Sequence, residues 1–108
     1  MGATDKRLFG PALLTNVTGT KYTAPALTKT QVRHIHFNNG DTVPRTVTLS
    51  VGADAAGTRL FDAMSIAAKT PYDWYPDRLF LDPAEFIAAN ADVTNVVTLE
   101  MSGTENVL

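Results

Sequence analysis

The chain has 108 residues, 44% of them hydrophobic and 19% charged, with a formal net charge of −2, a balance that suits one globular domain and sets aside a disordered chain. Lys6-Arg7 is the only adjacent cationic pair, so there is no electrostatic footprint for nucleic acid, and no apolar run is long enough to span a bilayer. Cysteine is absent, which excludes disulfide staples and thiolate metal ligands and fits assembly in a reducing cytosol.

Fifteen residues are Thr and nine are Val. Both are β-branched and fit a pleated, half-buried surface better than a helix. Folding a chain of this length removes roughly 65% of its surface from water, enough for one thin core.

Taken in chain order, residues 1–6 are polar and read as a short arm at the start of a single domain spanning 1–108. The first ten residues, Met1 to Gly10, contain no apolar segment of signal-peptide length, so export by the usual route is not expected. Residues 8–14 and 21–24 read as short strands. Between them, Asn16-Val17-Thr18 is a glycosylation sequon, read as chance in the absence of a leader.

Residues 30–37 are a strand with Val32, His34 and His36 on one face and Arg33, Ile35 and Phe37 on the other. Neither face is plainly wet, as expected for a central or covered strand. Asn39-Gly40 follows, the strongest short hairpin signal. With Pro44 at the entry of the next strand, an antiparallel hairpin with an extended loop is expected.

Residues 45–51 alternate strictly, with Val47, Leu49 and Val51 on one face and Thr46, Thr48 and Ser50 on the other, the period of a sheet with one wet side. A loop at 52–57 leads to a strand at 59–65. Strands at 71–74 and 78–81 flank a tight turn at Tyr75-Pro76-Asp77.

Residues 82–85, Asp-Pro-Ala-Glu, have the signature of a helix start. Two readings stay open for 83–89, a single helical turn or a turn followed by a strand, with the second preferred. Val97, Leu99 and Met101 then alternate with Thr98, Glu100 and Ser102 in a final strand. The fold class is therefore all-β: a single-domain antiparallel β-sandwich of eight or nine short strands, jelly-roll-like.

His34 and His36 are the sharpest chemical feature. Two residues apart on a strand, their rings point to one side, roughly 6.5–7 Å apart. That is a usable pair for zinc or nickel if a neighbouring strand supplies a third ligand. No other histidine exists, so the completing ligand would have to be a carboxylate. Packing and hydrogen bonding within the sheet are the preferred reading, and no metal or other cofactor is expected.

Asp73, Asp77, Asp82 and Glu85 could supply oxygens for calcium, but their spacing matches no EF-hand loop. Tyr72, Trp74 and Tyr75 are candidates for an interface or a ligand platform, with Tyr72 and Trp74 on one strand face and Tyr75 on the other. No Gly-x-Ser-x-Gly elbow and no Gly-x-x-x-x-Gly-Lys loop is present, and no enzymatic activity is expected.

Several phrases occur in a telling order: Lys6-Arg-Leu-Phe-Gly-Pro11, Tyr22-Thr-Ala-Pro25, Val32-Arg-His-Ile-His-Phe-Asn-Asn39, Thr46-Val-Thr-Leu-Ser-Val-Gly-Ala-Asp-Ala-Ala-Gly-Thr-Arg-Leu-Phe61, Tyr72-Asp-Trp74 and Val97-Thr-Leu-Glu-Met-Ser-Gly103. Across residues 6–105 the chain resembles small β-sandwich accessory virion proteins of tailed bacteriophages. The resemblance implies a non-enzymatic structural part, most of all a capsid decoration protein. A minor tail or head–tail component and a host-glycan-binding module are the alternatives. It also implies a place in the virion after assembly in the host cytoplasm. The expected partners are the major capsid protein or tail proteins, with many copies on a lattice or as a homo-oligomer, and neither nucleic acid nor membrane. Copies on a lattice add their modest contacts through avidity.

Overall fold

The computed structural model describes residues 2–108. Nine strands run in order: β1 Ala3–Leu13, β2 Gly19–Thr23, β3 Thr28–Asn39, β4 Arg45–Val51, β5 Arg59–Ile66, β6 Thr70–Trp74, β7 Leu79–Leu81, β8 Phe86–Ala91 and β9 Val97–Val107. There is no helix among the described residues. All ladders are antiparallel.

One sheet has the order β1-β9-β3-β6, with β7 also on β3, and the other has the order β2-β8-β4-β5. Setting β7 aside, eight strands divide between two four-stranded layers in the connectivity of a jelly roll, crossing from layer to layer at every connection except the β4–β5 hairpin.

The core lies between the layers. Leu8, Val32, Ile35, Phe37, Leu81, Val97, Leu99 and Met101 come from the first sheet, and Val47, Leu49, Ile66, Ile87, Ala89 and Ala91 from the second. On one side Phe61 of β5 bridges the layers, with its ring centroid 5.9 Å from Phe37, 5.9 Å from Tyr72 and 5.0 Å from Trp74. Edge-to-face pairs at these separations add to simple burial. Elsewhere the bridge is polar: the Tyr22 hydroxyl of β2 meets Thr30 of β3 at 2.8 Å and donates to the Glu105 carboxylate of β9. Lys6 stands 3.4 Å from the same carboxylate.

The strand at 97–101 matches its alternation, with Val97, Leu99 and Met101 buried. The strand at 45–51 does so through Leu49, with Val47 and Leu49 buried. Beyond it Ser50, expected on the wet face, is buried with its hydroxyl on the Gly52 carbonyl, while Val51 is only half-buried. Three further expectations are corrected. First, β3 and β4 do not form a hairpin, because they belong to different sheets. Residues 40–44 carry the chain from one layer to the other, and Gly40 lacks the positive φ that a tight hairpin turn requires. Asn39 is fully buried instead. Its amide donates to the carbonyls of Val43, Ile66 and Ala67, and its Oδ1 accepts from the Asp41 amide. The residue that looked like a turn former staples the crossover.

Second, Val32 does not share a face with the histidines. The β3–β9 register pairs Val32 with Gly103 and His34 with Ser102, so Arg33 is an extra residue in a β-bulge. The bulge moves Val32 into line with Ile35 and Phe37 on the core side and turns His34 and His36 outward.

Third, residues 1–6 are not a free arm. Met1 lies outside the described residues, and Ala3 to Lys6 are laddered onto Asn106, Glu105, Thr104 and Gly103 of β9.

The segment 83–89 takes the turn-and-strand form, not a helical turn. The Glu85 side chain accepts from the Asp82 amide at 2.7 Å while the Glu85 amide donates to the Asp82 carbonyl at 2.9 Å. Ala84 has a φ of 73°, which turns the chain straight into β8.

Candidate functional site

The bulge at Arg33 divides the partners of β3. Below it β7 pairs with Thr30 to Val32, and above it β6 pairs with Ile35 to Asn39. Between β6 and β7, residues 75–78 leave the ladder, so the turn expected at Tyr75-Pro76-Asp77 sits beside the bulge. Gln31 reaches it through a 3.4 Å contact to the Asp77 carbonyl.

On the solvent side of this sheet, register builds a row. Asp73 of β6 is directly opposite His36 of β3, and His36 is directly opposite Glu100 of β9. Side chains so placed are close neighbours on one face. Glu100 is held at 3.2 Å by Arg7 of β1, so the row crosses the whole sheet.

The two rings converge on one atom. Asp73 Oδ1 lies 2.8 Å from His34 Nε2 and 2.6 Å from His36 Nδ1. The three donor atoms all fall within 4.8 Å of one another. Each side chain is partly open to water, at 29% for His34, 28% for His36 and 39% for Asp73. Hydrogen bonds first from His36 and then from His34 hold the Asp73 carboxyl below its ordinary value. Tyr75 lies flush on His34, with centroids 4.4 Å apart and planes 4° from parallel.

The sequence therefore named His34 and His36, and the fold brings them the carboxylate they lacked. Asp73 was visible in the sequence only as one acidic residue among several. What singles it out is the β3–β6 register, which depends on residues nearly forty positions apart. Glu100 was likewise hidden, since it was legible only as a polar position of the last strand.

The three aromatics do not form one platform. Trp74 and Tyr72 turn their rings onto Phe61 between the layers, while Tyr75 faces solvent and is 70% exposed. The four acidic residues weighed for calcium are not gathered either: Asp73 belongs to the histidines, Asp82 stands 3.9 Å from Lys29, and Glu85 folds back on the Asp82 amide.

Comparison with family models, with curated proteins and with solved structures finds no match to this chain.

Proposed function

We propose that the chain is a non-enzymatic structural component of a tailed-phage virion, and that it decorates and stabilises the capsid shell. The observation that carries this reading is the jelly-roll order of the two sheets, an architecture that serves viral capsid and lectin domains among others, and the resemblance of the chain's ordered phrases to small virion proteins supports it. A fold alone does not fix a function, so the ordered phrases bear much of the weight.

Two further features support a binding role. The molecule is elongated, 46 × 25 × 21 Å, with long strand faces available for lateral contact. Leu27, Tyr75, Phe80 and Leu108 leave large apolar side chains in water, available for contact with a neighbour. Repeated on a lattice, weak contacts of this kind sum to stable attachment.

Quantitative mass spectrometry of purified particles of the encoding phage tests the proposal. About one copy per capsid subunit or per capsomer is the expected result. A few copies per particle would move the chain to the tail or the head–tail junction. Absence from particles would overturn the structural reading.

A further inference from the structure

We propose that His34, His36 and Asp73 form a binding site for a divalent transition-metal ion of the zinc class. The inference is independent of the virion reading and rests on convergence, donor chemistry and accessibility.

Two strands aim three donors at one point. Without an ion, a single Asp73 oxygen accepts from both rings, at 2.8 and 2.6 Å. Tetrahedral ligands at zinc distances stand about 3.3 Å apart. The two Asp73 contacts would open by about half an ångström, and the two ring nitrogens, which lie within 4.8 Å of each other, would settle at about the same separation around the ion. All three side chains are partly open to water, at 29%, 28% and 39%, which leaves them room to adjust.

Two imidazoles and one carboxylate suit zinc, nickel, copper or ferrous iron, and disfavour calcium and magnesium, which take oxygen-rich sets. The donors occupy one side of the ion and leave the solvent side open for water or for a group from another molecule. Tyr75 fixes the His34 ring by stacking. Glu100 sits opposite His36 on the far side from Asp73, a second carboxylate near the site of the kind that commonly supports a metal-bound imidazole. Because Asp73 belongs to edge strand β6 and the histidines to β3, a bound ion would cross-link that edge to the sheet.

The test is calorimetric titration of the untagged full chain with zinc chloride, and separately with nickel and magnesium, in a non-coordinating buffer at neutral pH. One zinc per chain is expected, with magnesium silent and with a raised melting temperature. Asp73→Asn and His34→Asn should each weaken zinc at least ten-fold. The wild-type chain supplies a readout that needs no variant. It contains only these two histidines, so zinc should move the imidazole NMR signals of both together. No binding at millimolar zinc would overturn the site, as would unchanged affinity in the folded variants, an equal response to magnesium, or binding that leaves the imidazole signals in place.

Discussion

Gly103 sits opposite Val32, beside the bulge, where the β3 backbone comes close to β9. A Cβ built there would stand 2.1 Å from the Gln31 carbonyl oxygen and 3.1 Å from the Val32 Cα. Both obstacles are backbone, so the bulge would have to shift bodily. Gly103→Ala is expected to cost about 2–3 kcal/mol, measured by urea unfolding, and to disturb the His34 and His36 signals through the bulge they flank. A second residue-scale prediction concerns Tyr22. Burial first, then its hydrogen bond to Glu105, raises the phenol to about 12 from an ordinary 10.0. The folded chain thus holds this proton more tightly than the unfolded chain. The stability it contributes is fully present below pH 10 and is lost as pH rises toward 12. Thermal melts from pH 9 to 12 should show a steeper loss for the wild type than for Tyr22→Phe. At neutral pH the same variant should lose about 1–2 kcal/mol, because Glu105 gives up its phenolic donor. At this scale the sequence was readable where a side chain acts through its own position. Leu49 and Leu99 are core because they alternate with threonines and a glutamate. It was unreadable where meaning comes from a distant partner: Asn39 carries the local signal of a hairpin but spends its amide on carbonyls nearly thirty residues away.

The elements most legible in the sequence are those without irregularity. β4 reads correctly as far as Leu49 because its faces keep a period of two from Arg45 to there and its ladder with β8 runs without a shift. β3 does not, because a bulge resets the period at one residue. The apolar spacing of Val32, Ile35 and Phe37, three and then two, is the trace it leaves. β1 was underestimated for a different reason. Its first residues are polar because both faces at that edge are open or face the polar bridge around Glu105, yet the backbone is fully engaged with β9. Removing residues 2–6 should therefore lower the unfolding midpoint of the isolated protein measurably, as well as any loss in assembly. An unchanged midpoint would show that this part of the ladder contributes nothing. The bridge from β5 makes a parallel prediction. Phe61→Ala should cost about 3 kcal/mol and quench the near-ultraviolet circular dichroism of Trp74, because one ring joins three others across the layers.

At the scale of the molecule, the two layers share one continuous core. Far-ultraviolet circular dichroism and Trp74 fluorescence should report coincident unfolding transitions, as for a two-state domain. The general architecture followed from strand length, threonine content and turn spacing. The assignment of strands to sheets did not, since each crossover between layers looks locally like any other loop. That crossover pattern also has a temporal side. β9 lies in the middle of its sheet, between β1 and β3, and is the sole ladder partner of β1 among the described residues. On the ribosome β1 emerges well before β9 and must wait for it. At about 5–20 residues per second the wait lasts several seconds, with the sides of β1 and β3 that will receive β9 bare throughout. Bare strand edges are templates for association between chains. The placement of one strand thus makes the nascent domain most vulnerable to aggregation just before β9 emerges, and gives a chaperone its longest opportunity there.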